Sequence, residues 1–147
     1  MFGQYAELLI GMREFLADEN MQASIMAILR AALSFVQQIP LQAQMNRTQA
    51  EAGGMHRMVA QSMRFHRLNG RIQHDACRIL SYLSVPTVPL NIALRDYILK
   101  TLITAMQDFP GDGILQWKCL ITMACASVAQ LVRARDCQSL GRRFDSV

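Results

Sequence analysis

Histidine and cysteine are the residues of this 147-residue chain that could support catalysis or metal binding, and both are few. The histidines are His56, His66 and His74, and the cysteines are Cys77, Cys119, Cys125 and Cys137. His66 and His74 are eight residues apart, not the four that place two histidine ligands on one helix face. No two cysteines have the C-x-x-C spacing of a zinc site. We therefore predict no metal site and no cofactor.

Among catalytic arrangements, the residue spacing comes closest to that of a cysteine nucleophile beside a histidine. His74 and Cys77 are three residues apart, so on a helix their side chains could touch. A nucleophile also needs an orienting third group and a cleft, and helical periodicity assigns Cys77 to a buried stripe. His66 is predicted to be structural, His56 to face solvent, and Asp112 to cap a helix or a turn. We predict no catalytic residues and no enzymatic activity.

Composition narrows the class of protein further. Apolar residues make up 52% of the chain and charged residues 18%, which excludes an intrinsically disordered protein. The net charge of +4 is small, and half of it comes from residues 128–147, so no specific nucleic-acid interface is expected. The apolar stretch without charge between Lys118 and Arg133 has 14 residues, whereas a membrane span needs about 20. The first residues lack the positive charge that begins a secretory signal, so we expect reduced cysteines and a cytoplasmic or nuclear location.

Apolar residues recur at the spacing of an α-helix, and no segment alternates apolar and polar residues as a half-buried strand does. Three stripes are expected to be buried where neighbouring units stack: Met21, Ile25, Met26, Leu29, Ala32 and Leu33; Ile72, Ala76, Cys77, Leu80 and Leu83; and Leu115, Cys119, Leu120, Met123 and Ala126. Glycine and proline residues separate these stripes, notably Gly53-Gly54, Asn69-Gly70 and Pro110-Gly111. The fold class is predicted to be all-α.

The sequence also contains an internal repeat, in which similar residues recur 43 or 51 positions apart. At 43 residues, Met63 aligns with Met106, Asn69 with Asp112, Ile72 with Leu115 and Gln73 with Gln116. At 51 residues, Met12 aligns with Met63, Met21 with Ile72 and Gln22 with Gln73. A helical repeat of about 40–47 residues is typical of armadillo and HEAT solenoids.

The segment from Asn46 to Met55, NRTQAEAGGM, resembles the first-helix signature of an armadillo repeat. The apolar positions over 59–83 resemble the second and third helices of that repeat, and residues 109–116 resemble the link into a further one. The third unit departs from the pattern, because residues 95–97 stand where an Ala-Gly-Gly turn is expected. The resemblance implies an armadillo-like α-solenoid of about three repeats within residues 1–127. Its units are about 4–38, 46–84 and 90–127.

Residues 128–147 do not continue the repeat. VAQLVRA at residues 128–134 and RFDS at residues 143–146 resemble the translation of a transfer-RNA gene. We interpret this tail as a read-through of transfer-RNA-like DNA; an ordinary amphipathic tail helix is the alternative. The chain is then either a separate protein or a truncated or mis-assigned fragment of a larger armadillo-repeat protein with no independent function.

Binding is the function that this architecture favours, because stacked helices of a solenoid line an extended concave groove. In the middle unit, His74, Arg78 and Tyr82 lie at i, i+4 and i+8 and hence on one helix face. Their counterparts 43 residues later include Trp117 and Ile121. We predict that these five residues line a groove for an extended peptide or a helix of a protein partner. An equal alternative is that Trp117 and Ile121 pack against whatever follows the third unit.

The resemblance refines the expected partner. Peptide-binding armadillo proteins carry an asparagine ladder on the third helix, whereas the matching positions here are Ala31, Tyr82 and Cys125. Recognition of basic nuclear-import peptides is therefore not expected. No terminal unit has a clear polar cap, so self-association through the end repeats is a further expectation.

Overall fold

The computed structural model describes residues 2–36, 54–83 and 91–126, and every regular element in these ranges is an α-helix. The helices are α1 (Phe2–Glu14), α2 (Glu19–Val36), α3 (Met55–Phe65), α4 (Gly70–Leu83), α5 (Ile92–Asp108) and α6 over residues 113–126. The all-α prediction is confirmed for this part of the chain. The tail 128–147, the fourth cysteine and most of the signature segment 46–55 lie outside the described residues.

The six helices form three pairs, and each pair turns at an Asx N-cap. The side chain of Asp18, Asn69 or Asp112 accepts a hydrogen bond from the backbone N–H three residues later. The recipients are Met21 N at 3.0 Å, Ile72 N at 3.1 Å and Leu115 N at 3.0 Å. Such caps satisfy N–H groups that have no partner at a helix start. The predicted capping role of Asp112 is confirmed.

A glutamine ties the two helices of each pair together. Gln22, Gln73 and Gln116 each donate two hydrogen bonds from Nε2 to carbonyls at the end of the preceding helix, where helical partners are missing. The acceptors are Met12 O and Phe15 O at 2.8 and 2.9 Å, Met63 O and His66 O at 2.9 and 3.0 Å, and Met106 O and Phe109 O at 2.8 and 2.9 Å. These bonds recur at the separations of 51 and 43 residues found in the sequence.

Successive pairs pack in two layers. In one layer α3 packs against both α1 and α5, and in the other α2 packs against α4. The second layer continues to α6, because the Cys77 Sγ lies 3.4 Å from the Cys119 Sγ and Thr122 Oγ1 donates to the Cys77 carbonyl at 3.3 Å. The first helices of the pairs thus lie in one layer and the second helices in the other.

The core lies between the layers and follows the predicted stripes in part. The second stripe is entirely buried: Ile72, Ala76, Cys77, Leu80 and Leu83. In the first and third stripes, Met21 and Leu120 are exposed, so their assignment to the core is wrong. Both lie on helix faces that no described neighbour covers.

Two local features explain where the third pair differs from the second. Gly54 precedes α3 with a φ of 74°, a left-handed conformation that glycine adopts without strain. The third pair lacks a glycine pair at residues 95–97, and α5 runs there as one continuous helix. Asn91 caps α5, accepting from Leu94 N at 2.8 Å.

Candidate functional site

Arg78 and Tyr82 of α4 form the centre of the predicted groove. Arg78 Nε donates to the Tyr82 hydroxyl at 2.9 Å, and its guanidinium lies 5.7 Å from the ring centroid. The Arg78 side chain is exposed and forms no ion pair with any other residue that the structure describes. Its charge and its remaining donors are therefore available to an incoming acceptor.

The surroundings of Tyr82 are cationic. Burial acts to raise its pKa, but hydrogen bonds with Ser34 and Arg78 and the charges of Arg78 and Arg30 together bring the pKa below its ordinary value. Arg30 of α2 is also paired with Asp75 of α4 at 2.8 Å. Arg30 and Ser34 were not predicted from the sequence, because only the packing of α2 on α4 brings them near Tyr82.

His74 ties α4 to the third pair. Its Nε2 lies 2.6 Å from Asp112 Oδ2, and its Nδ1 lies 3.2 Å from Lys118 Nζ. A neutral ring that carries its proton on Nε2 satisfies both contacts, donating to the carboxylate and accepting from the ammonium group. The backbone N–H of Leu115 and the His74 ring both lower the pKa of Asp112. His74 lies beside the predicted groove, with both ring nitrogens already engaged.

Trp117 and Ile121 lie on an exposed apolar strip of α6. Trp117 is 65% exposed and Ile121 38% exposed, and Ile114 and Leu120 on the same helix are exposed as well. The five predicted groove residues are thus placed on two adjacent helices of one layer. Within the described residues nothing covers Trp117, so both the groove and a packing surface for a further element fit its position.

His56 is not solvated, contrary to the sequence prediction. It lies on the buried side of α3 with Val59 and Met63, while Arg57 takes the exposed position. Burial lowers the pKa of His56 to about 4, against the opposing effect of the Leu83 backbone. Neither ring nitrogen has a partner at hydrogen-bonding geometry among the described residues. The ring is therefore neutral in the folded protein at physiological pH.

Cys77 is buried, as its stripe predicts, and is paired with Cys119 rather than with His74. The hydrogen bond with Cys119 and burial raise the pKa of Cys77, so its sulfur is a thiol and not a nucleophilic thiolate. Within the described ranges there is no group of three or more His, Cys, Asp or Glu residues that could hold a metal ion. None of the described helices combines the length and the apolar composition needed to cross a membrane.

An open depression of about 460 Å³ lies beside the turn between α3 and α4. It is lined by Glu19, Phe65, His66, Arg67, Leu68 and Asn69. Its polar groups are already paired: Asn69 Nδ2 donates to Glu19 Oε1, and Arg67 makes two hydrogen bonds to Asp108 at 2.8 and 2.9 Å. The depression therefore offers little for a polar ligand, and the α4 and α6 surface remains the better candidate site.

Comparison with known proteins identifies no relative of this chain. No protein-family model, curated protein or solved structure matches the chain.

Proposed function

We propose that this chain is a non-enzymatic interaction module with the architecture of an armadillo-like α-solenoid. Its partner would be a peptide or a helix that lies across α2, α4 and α6. Two observations support the architecture: the same glutamine tie occurs in each helix pair, and equivalent helices of successive pairs lie side by side. Such a layer presents equivalent positions at regular intervals, which suits an extended ligand.

The observation that carries the proposal is the Arg78–Tyr82 pair beside an exposed apolar strip. Arg78 has no acidic partner within the described residues, whereas Arg30, which also lies near Tyr82, is paired with Asp75. Tyrosine, tryptophan and arginine are the side chains most enriched at binding hot spots. A partner with a carboxylate for Arg78 and a large apolar side chain for Ile121 or Trp117 would match this surface.

The geometry also suggests a spacing for those two partner residues. Arg78 and Ile121 occupy equivalent positions on neighbouring helices, and packed helices are about 10 Å apart. An extended peptide covers that distance in about three residues. We therefore expect an acidic and a large apolar residue about three positions apart.

Selection from a random peptide display library against the full chain would test this proposal. Enriched peptides should carry the acidic and apolar pair, and titration should change the fluorescence of Trp117, the single tryptophan of the chain. The variant Arg78→Glu should lose the acidic preference, whereas Arg57→Glu, the same charge change on exposed Arg57 of α3, should keep it. An unchanged preference in Arg78→Glu would contradict the proposal.

A second candidate, a fragment of a larger armadillo-repeat protein with no independent function, is favoured by the exposed strip on α6. Thermal unfolding of the full chain followed by circular dichroism separates the two. A cooperative helical transition supports an independent domain, and a sloping transition supports a fragment. We place the site of action in the cytoplasm or nucleus, where thiols such as Cys77 and Cys119 stay reduced.

A further inference from the structure

Two residues of the exposed strip on α6, Trp117 and Leu120, occupy positions that face the next helix in the preceding pair. In α4, His74 and Cys77 face α6, contacting Asp112 and Cys119. Forty-three residues later the same positions are Trp117 and Leu120. Cys77 is fully buried, whereas Trp117 is 65% and Leu120 50% exposed. The side of α6 that faces away from α4 is therefore built like a face that packs on another helix.

The opposite end of the layer shows the reciprocal feature on α2. The pair between Arg30 and Asp75 directs the Asp75 side of α4 toward α2. Ile72 and Ile79 lie on that side, three residues before and four after Asp75, and both are fully buried. Fifty-one residues earlier, their equivalents on α2 are Met21 and Ile28.

These equivalents on α2 are open to solvent. Met21 is 40% and Ile28 53% exposed, and Phe35, one heptad beyond Ile28, is exposed too. Ser24 and Ala31 lie between them. This face carries no charged residue at these positions, and neither does the α6 strip at Ile114, Trp117, Leu120 and Ile121. Charge repulsion would therefore not oppose their contact.

The two faces correspond to the two sides of contacts that the chain already makes internally. Within the chain, the side of α2 that faces the next pair packs on α4, and the equivalent side of α4 packs on α6. The α6 strip lies on this same side of α6, and no described residue covers it. The α2 face is equivalent to the side of α4 that packs on α2, and no described residue covers it either. A second copy of the chain carries the complement of each.

We propose that the α6 strip of one copy docks on the α2 face of a second copy, with Trp117 and Ile28 in the contact. The contact joins two different faces, so it is head-to-tail and can continue to a third copy. This contact shares Trp117 and Ile121 with the proposed peptide site, whereas Arg78 and Tyr82 lie outside both faces, so a change at Arg78 distinguishes the two.

Two single-face variants of the full chain test the docking. Wild type should show a mass that rises with concentration in light scattering, whereas Trp117→Glu and Ile28→Glu should each remain monomeric. Each variant keeps one intact face, so an equal mixture should form a heterodimer and stop there. Both changes are at exposed positions, and circular dichroism should confirm that the fold is retained; Leu120→Lys replaces Trp117→Glu if the latter does not fold.

Fluorescence gives a second readout, because the Trp117→Glu variant contains no tryptophan. In the mixture the signal comes only from Trp117 of the Ile28→Glu copy, and burial in the contact should shift its emission to shorter wavelength. Arg78→Glu is the control and should associate like wild type, which separates this contact from the peptide site.

Three results would overturn the proposal. One is a wild type that is monomeric at every concentration, with Trp117 emission already that of a buried ring, because another segment of the same chain would then cover the strip. The second is an Ile28→Glu variant that still dimerises alone while Trp117→Glu does not, because two α6 strips would then meet symmetrically. The third is the absence of a heterodimer in the mixture of folded variants.

Discussion

Lowering the pH from 7.5 to 5.0 should destabilise this protein through His56, a buried ring that the folded state keeps neutral. Its pKa is 6.5 when solvated and about 4 in the folded chain. The unfolded chain therefore binds a proton on His56 at a higher pH than the folded chain does. The stability that the neutral ring contributes is present above pH 6.5 and is lost as the pH falls toward 4.

The size of the effect follows from the two pKa values. One pKa unit corresponds to about 1.4 kcal/mol. At pH 5.0 the ring is almost fully protonated in the unfolded chain and still mostly neutral in the folded chain, so the free energy of unfolding should drop by about 2 kcal/mol. Below pH 4 the loss should approach about 3 kcal/mol. Asp108 and Asp112 have folded-state pKa values below 3.8, so both stay ionised between pH 7.5 and 5.0 and do not contribute to the drop over that interval.

Urea unfolding at the two pH values, followed by circular dichroism, measures the drop. The variant His56→Leu removes the titrating ring and places there the residue found 43 positions later, Leu99. Its loss of stability between the two pH values should be smaller than that of wild type by about 2 kcal/mol. Arg57→Gln, a change at the exposed neighbour, should behave like wild type.

Equal pH dependence in wild type and His56→Leu would refute this reasoning. It would mean that His56 takes up a proton as easily in the folded chain as in the unfolded one. At pH 7.5 the variant should be about as stable as wild type, because it removes two ring nitrogens that have no partner in the described structure.

Three further predictions concern contacts within and between the helix pairs. Gln73→Ala leaves two carbonyls near the turn unpaired and should lower the free energy of unfolding in urea by about 3 kcal/mol. The same change at the less buried Gln116 should lower it by less, and an equal loss would contradict this. Asp112→Ala should cost about 1 kcal/mol more than Asp112→Asn, because asparagine keeps the N-cap. Mild oxidation with diamide should join Cys77 to Cys119 as the first disulfide seen by peptide mass spectrometry, since their sulfurs are 3.4 Å apart; a different first pair would contradict the packing of α4 on α6.

Helical periodicity predicted the parts of this fold that depend on one helix and its partner in the same pair. The stripe from Ile72 to Leu83 is buried, and Asp112 caps α6, because both follow from local spacing. Periodicity cannot reveal whether a neighbour exists, so Met21 and Leu120 were assigned to the core although the faces they lie on are open.

Other features could not be derived from residue type. His56 was assigned to solvent because it stands next to Arg57, yet a neutral ring can be buried when the surrounding apolar residues outweigh the cost of its nitrogens. Gln73 was visible as a repeated position, but its bonds to two carbonyls depend on the angle between α3 and α4. The groove residues Arg78 and Tyr82 were found together, whereas the contribution of Arg30 required the packing of α2.

The glutamine ties have a consequence for how the molecule responds to its ionic environment. Within each pair the joint is a neutral amide, which neither salt nor moderate pH alters. Between pairs, two contacts among the described residues are ionic instead: Arg30 with Asp75, and Arg67 with Asp108. Salt weakens such partly exposed pairs. Raising the ionic strength should therefore weaken the contacts between successive pairs, whereas each pair keeps its internal geometry.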